Sequence, residues 1–301
     1  MNPKRKLFRL SLVFLVMALL LQACASAAAP TVVKVGSKDF TEQFILGEMY
    51  ALLLENNGFQ VERKLDLGGT PVAQAALENG DIDLYPEYTG TGLLTVLKQP
   101  VNSDPKAVFD TVASMYKEQY NLVWLDPAPM NNTQAIAMKA TRAQELGITT
   151  ISDMAAKAGE LVMIGPPEFQ EREDGLPGIK KVYGDFQLKE YKAVDPGLRY
   201  QALNNGEADV TVAFGTDGEI AAFDLVLLQD DKKLFPPYQV APVVRADTLE
   251  KNPKISEVLN SLAPLLTDSV MQTLNYEVSG NGREPADVAK EFLTQQGLIK
   301  Q

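Results

Sequence analysis

Two stretches, "ALENGDIDLYPEYTGT" (Ala76–Thr91) and "ALNNGEADVTVAFGTD" (Ala202–Asp217), align without a gap. Each reads as a helix end, an Asn-Gly stop, an acidic residue, an aspartate and then a strand. Each strand ends on an aromatic residue just before a Gly/Thr turn, so Tyr88 falls on Phe214. A weaker echo pairs "VGSKDF" (Val35–Phe40) with "IGPPEFQ" (Ile164–Gln170). Two echoes in the same order predict a chain of two similar α/β lobes.

The flanking sequence extends this pattern. "VVKVG" (32–36) reads as a buried strand, and "DFTEQFILGEMYALLLENNG" as a helix with an Asp39–Glu42 capping box and Gly58 as its stop. "FQVERKLDL" is a second strand. "GGTPVAQAALENG" is a helix with Thr70 as N-cap, Pro71 in its first turn and Gly80 as C-cap. "DIDLYP" is a third strand. Alternating strands and helices predict a parallel sheet. "SDPKAVFDTVASMYKEQY" is a helix opened by Pro105, and "NLVWLDPAPMNNTQAIAMKA" holds two strands around a Pro/Asn loop. The second half repeats the alternation, and the tail from Ile255 is helical.

Open parallel sheets bind ligands at the carboxyl ends of their strands. If both lobes obey that rule, Tyr88 and Phe214 face each other across a cleft. A lone aromatic at a strand end is more often core, but a pair at matching positions favours a site. Tyr85 is three residues from Tyr88, so strand alternation turns it to the other face, into packing or into support behind the site. Glu87 reads as a solvated carboxylate, with the rim of the site as the alternative. Asp230 to Lys233 reads as a solvated turn and Trp124 as core.

The N-terminus is of a different kind. Lys4, Arg5, Lys6 and Arg9 precede the apolar run "LSLVFLVMALLL" and then "LQACASAAAP". This is a secretory signal over residues 1–24, shorter than the roughly 20 apolar residues of a membrane span. Residues 25–31 form a small-residue tether. Cys24 is the only cysteine, so no disulfide is available within the chain. "Leu-Gln-Ala-Cys" at 21–24 resembles a bacterial lipobox, which implies acylation of Cys24; ordinary cleavage at Ala27-Ala28-Ala29 would remove it. The protein is expected outside the cytoplasm, in the periplasm or on the outer face of the membrane, held there by the lipid alone.

The chain has 301 residues, 46% hydrophobic and 22% charged, with a net charge of −11. Removing the basic leader makes the remainder still more acidic. That balance argues against nucleic acid and against anionic lipid surfaces. There is no histidine, which removes Ser-His-Asp and Cys-His nucleophiles, histidine bases and the usual histidine-containing zinc sites. The composition points to a binder with no cofactor and no metal.

The motifs "VGSKDFTEQFILGEM", "LGGTPVAQAAL", "DIDLYPEYTGT", "PEFQEREDGLPGIKKVYG" and "DDKKLFPPYQVAP" resemble the substrate-binding proteins of osmoprotectant ABC importers. These handle glycine betaine, choline, carnitine and related quaternary ammonium compounds. The resemblance runs from about Val32 to the C-terminus. It implies a two-lobed type II periplasmic-binding-protein fold of the α/β class, with a hinge and a ligand cleft between the lobes. Lobe 1 would comprise 32–132 plus 241–301 and lobe 2 would comprise 133–240. It also implies a monomer that closes over a small zwitterionic or cationic ligand and hands it to a separate permease and ATPase.

Carried over by motif, Tyr88, Phe214 and Tyr238 would cage the trimethylammonium head, and Lys38, Thr91 and Arg172 would hold the ligand carboxylate. A quaternary ammonium has no N–H, so aromatic faces hold it at about 0.5–2 kcal/mol per ring, while arginine and lysine suit a carboxylate. Gln134 stands where a fourth ring is common in the family, and Phe214 replaces a tyrosine. Weaker betaine binding or a different ligand, such as ergothioneine, therefore stays open. So does a sensory module. An enzyme with Lys38 as base is disfavoured, because no nucleophile elbow or phosphate loop is present.

Overall fold

The run VVKVG forms strand β1 (Val32–Gly36), and a Cβ on Gly36 at its end would lie 2.6 Å from Ile82 Cδ1. In this computed structural model, which describes residues 32–171, 175–194 and 196–300, helix α1 (Thr41–Asn56) follows. Its N-cap is Phe40, with no side-chain cap. The expected Asp39–Glu42 capping box does not form, because Glu42 turns inward and is 3% exposed.

Strand β2 (Gln60–Lys64) leads to helix α2 (Thr70–Asn79). Gly69 is its N-cap, one residue before the expected Thr70, and Gly80 closes it at φ 78°, as its sequence predicts. Strand β3 (Leu84–Tyr88) is buried throughout and runs into a helical turn at Thr89–Thr91. Helix α3 (Pro105–Tyr120) is capped by Asp104, which accepts from the Ala107 N–H. Strand β4 (Leu122–Trp124) follows. The chain then crosses to a second sheet, with β5 (Gln134–Lys139), β6 (Val162–Gly165), helix α4 (Leu176–Tyr183) and β7 (Glu190–Ala193). Helix α5 (Arg199–Asn204), β8 (Val210–Phe214) and β9 (Leu225–Leu227) complete it. A second crossover returns the chain to β10 (Val240–Arg245), and the helices include α6 (Asp268–Ser279) and α7 (Pro285–Gln295).

The strand orders are β2-β1-β3-β10-β4 and β7-β6-β8-β5-β9. The two lobes thus share one plan. Neither sheet is wholly parallel: β10 is antiparallel to β3 and β4, and β5 is antiparallel to β8 and β9. The reason is topological. Each of these strands is the first after a crossover and enters its sheet from the opposite end, which local alternation does not reveal.

The stronger sequence echo has a structural counterpart. The Asp83 N–H donates to the Lys34 carbonyl and its carboxylate accepts the Lys34 N–H, both at 2.8 Å. Asp209 makes the same clasp on Val162, at 2.9 and 3.0 Å. The weaker echo is one residue out of step, since the clasps equate Lys34 with Val162 and the sequence pairing equates it with Met163.

Tyr88 packs into the core between the first sheet and helices α1, α6 and α7, while Tyr85 and Trp124 pack on the other face of that sheet. Trp124 is core, as expected, and meets Tyr116 edge-on at 5.3 Å, a contact worth about 0.5–1.5 kcal/mol beyond burial. Residues Asp231–Lys233 form an exposed turn, as read from sequence. Asp230 anchors it by accepting the N–H groups of Leu234 and Phe235. Among the described residues no helix is long and apolar enough to cross a membrane.

Candidate ligand-binding site

The carboxyl end of β1 is tied to β3 by Gln43. Its side chain accepts the Lys38 N–H at 3.0 Å and donates to the Pro86 carbonyl at 2.8 Å. This brings Lys38 beside Tyr88, with its ammonium 5.0 Å from the ring centroid. Lys38 is almost fully buried and pairs with Glu87 at 2.6 Å, and it donates to Thr70 Oγ1 at 3.2 Å. Glu87 is fully buried, which overturns its reading as a solvated carboxylate. Its charge is tolerated because Lys38, the Tyr85 hydroxyl and the Tyr88 N–H all donate to it. Tyr85 therefore packs, as expected, and also braces this pair.

The Tyr88 hydroxyl donates to Glu42 Oε1 at 2.7 Å. Phe40 stacks on Tyr88, with centroids 6.2 Å apart and planes 23° apart, and stays 38% exposed. Glu42 also accepts from Asn132 at 2.8 Å and Asn275 at 2.9 Å, and the same Asn275 amide donates to the Thr216 carbonyl at 2.8 Å. Burial raises the Glu42 carboxyl above its usual range, against the pull of these bonds. Burial, and then the Glu42 charge, push the Tyr88 phenol well up.

Tyr238 lies on the turn after Tyr88: a Cβ on Gly90 would sit 2.8 Å from its ring. Its N–H donates to Asn131 Oδ1 and its carbonyl accepts from the Asn132 N–H, so it clasps the two crossovers. Thr89 joins the same region, donating to the Pro237 carbonyl and accepting from the Gln239 N–H. Thr91 is half-buried, and its hydroxyl has no hydrogen-bond partner among the described residues.

In the second lobe Gln134 sits directly opposite Phe214 in the β5–β8 register. The Phe214 N–H donates to Asp217 at 2.9 Å, and Asp217 also pairs with Arg199 at 2.7 Å. The Arg199 guanidinium lies 5.7 Å from the Phe214 centroid and 4.5 Å from that of Tyr200. Gln134 also lines a cavity of about 370 Å³ flanking the crossovers, with Ser103, Leu228, Lys233 and Phe235, and this cavity does not include Tyr88, Phe214 or Tyr238.

The structure thus brings Lys38 to Tyr88, sets Tyr238 against Gly90 in the turn that also carries Thr91, and separately pairs Gln134 with Phe214. Glu42 bridges Tyr88 and this pair through Asn275, which also donates to the carbonyl of Thr216, two residues beyond Phe214. Arg172 and Cys24 lie outside the described residues. Phe40, Glu42 and Arg199 were not singled out from sequence. Phe40 was legible as an aromatic inside the "SKDF" motif, whereas Glu42 was masked by its capping signal. Among the described residues no group of three or more His, Cys, Asp or Glu side chains is placed to hold a metal.

Two like sheets joined by two crossovers, with aromatic and charged side chains at matching strand ends, define a two-lobed solute-binding protein. The family described as the substrate binding domain of ABC-type glycine betaine transport systems matches residues 31–295, and the chain belongs to it. A glycine-betaine-binding protein of Pseudomonas aeruginosa is 35% identical over 91% of this chain and 91% of its own length. An ergothioneine transport permease/ergothioneine binding protein of Helicobacter pylori is 37% identical over 88% of this chain, which spans 47% of that larger relative. A crystal structure described as a glycine betaine/carnitine/choline ABC transporter superposes with a TM-score of 0.81 at 33% identity, covering 89% of this chain and all of the other. The protein is a transport-type binding protein and not an enzyme.

Proposed function

We propose that this protein captures a quaternary ammonium zwitterion outside the cytoplasm and delivers it to an ABC permease and ATPase. The observation that carries this reading is the convergence at Glu42, which accepts from the Tyr88 hydroxyl of one lobe and, through Asn275, is tied to the Thr216 carbonyl just after Phe214 in the other. Closure would bring Tyr88, Phe40 and Tyr238 towards Phe214 around a cation, each ring contributing about 0.5–2 kcal/mol. The shared strand order of the two sheets supports a type II arrangement, with residues 32–132 plus 241–301 as one lobe, 133–240 as the other and the crossovers as hinge.

The ligand carboxylate would be met by three groups. An ammonium has three donors; Lys38 gives one to Glu87 and one to Thr70, leaving the third for the ligand. The Thr91 hydroxyl supplies a second donor, and Arg172, assigned by its motif, the third. We assign Cys24 as the lipid-anchoring residue of a monomeric protein.

Ergothioneine, itself a betaine, is the second reading. It is favoured by the Helicobacter pylori relative and by Gln134, whose amide offers a polar partner where a ring would serve only the cation. Calorimetric titration of the signal-free protein with glycine betaine, carnitine, choline, proline betaine and ergothioneine tests both. Heat from betaine or carnitine supports the first reading, and ergothioneine alone the second. Silence from all five refutes the ligand class.

A further inference from the structure

We propose that Glu87 sets the choice between cationic and zwitterionic ligands by neutralising Lys38 beside the Tyr88 ring. This rests on the proposed capture of a quaternary ammonium group at that ring. The Lys38 ammonium is already there, 5.0 Å from the ring centroid. A trimethylammonium on the same wall would be a second cation next to it. In a site from which water is excluded, like charges repel far more strongly than in water. Glu87 Oε1, 2.6 Å from the ammonium, cancels that repulsion.

The same carboxylate has an opposite effect on the other end of a zwitterion. It competes for the Lys38 charge and so weakens the pull of Lys38 on a ligand carboxylate. Glu87 cannot turn aside when a ligand arrives, because the Tyr85 hydroxyl holds Oε2 at 2.8 Å and the Tyr88 N–H holds Oε1 at 2.7 Å. It is a positioning residue that acts through Lys38 and is itself fully buried. A lobe wall with Lys38 alone would favour carboxylates. With Glu87 fixed behind it, the wall admits a bare cation as well.

The test compares choline, which has the cation alone, with glycine betaine, which adds the carboxylate. Both are titrated calorimetrically into the wild-type protein, Glu87→Gln and the double variant Lys38→Met/Glu87→Gln. Glutamine keeps the shape, and the Tyr85 hydroxyl can turn to Gln74 Oε1, 3.3 Å away. Glu87→Gln is expected to weaken choline and spare or tighten betaine, raising the choline-to-betaine Kd ratio about tenfold. A folded Glu87→Gln protein that weakens both ligands equally overturns the assignment. The double variant leaves no charge unpaired and carries the test if Glu87→Gln does not fold. It is expected to lower the choline-to-betaine Kd ratio below that of wild type, since it removes the ammonium that meets the betaine carboxylate and leaves no cation beside choline. A folded double variant that has lost choline binding overturns the proposal. Wild-type protein that binds neither ligand overturns this inference, while the ligand class itself falls only if carnitine, proline betaine and ergothioneine are silent too.

Discussion

Replacing Tyr88 by phenylalanine separates two roles held by one side chain. The ring remains, so its face towards a cation is unchanged. The hydroxyl that donates to Glu42 at 2.7 Å is lost. Both ends of that bond are buried, with Tyr88 4% and Glu42 3% exposed, so water does not replace the missing donor. A hydrogen bond to a charged group in such a place is worth about 1.5–3 kcal/mol. For a domain of this size the melting temperature should fall by roughly 3–12 °C. The loss also removes one of the bonds that hold the Glu42 carboxyl down, so that group moves further above its usual range. Ligand affinity should stay within about threefold of wild type, because the ring supplies the cation–π contact. Tyr88→Ala should lose both stability and affinity. Scanning calorimetry and ligand titration on the two variants read the split. If Tyr88→Phe loses as much ligand affinity as Tyr88→Ala while its melting temperature is unchanged, the hydroxyl serves the ligand and not Glu42, and the reasoning fails.

Three other outcomes are expected. The folded-state carboxyl of Glu42 is raised above the ordinary 4.5 by burial, so the stability tied to it is present below that value and lost as pH rises through the folded one. The difference in unfolding free energy between wild type and Glu42→Gln should therefore shift against the wild type from acid towards neutral pH; a difference that is flat or of the opposite slope would contradict this. Gly215→Ala drives a Cβ into the Asn131 carbonyl, and it should cost about 1–3 kcal/mol in urea denaturation; an unchanged midpoint would mean that the crossover yields freely. Gln134→Tyr restores a ring opposite Phe214 and should tighten betaine binding by roughly 2- to 30-fold, and unchanged affinity would remove this position from the cage.

Much of the plan was legible because it is local. Gly80 caps its helix, Pro71 and Pro105 lie in first turns, and Tyr85 and Tyr88 take opposite faces as alternation requires. The Ala76–Thr91 echo held because both copies keep an aspartate in the same backbone clasp. What failed depended on distant partners. A glutamate in the first turn of a helix looks the same whether it caps that helix or is buried. Tyr88, Asn132 and Asn275, all far along the chain, decide the case for Glu42. Glu87 reads as solvated in the sequence because its neighbours there do not announce the lysine 49 positions away. The antiparallel entry of β5 and β10 is likewise a property of the crossovers and not of either strand.

The placement of β10 also dictates an order of assembly. All five strands of the second sheet lie between Gln134 and Leu227, one contiguous stretch that can be completed as soon as it is synthesised. The first sheet cannot be completed then, because β10 belongs between β3 and β4, and helix α1 must still be covered by α6 and α7. The N-terminal strands therefore wait, with apolar faces open, until nearly the whole chain is made. Contacts that span so much sequence are slow to form and prone to aggregation in the interval. Destabilising changes in α6 and α7 should thus appear first as lower yield of folded protein, and the segment most in need of a chaperone is the one that holds β1, α1 and β3.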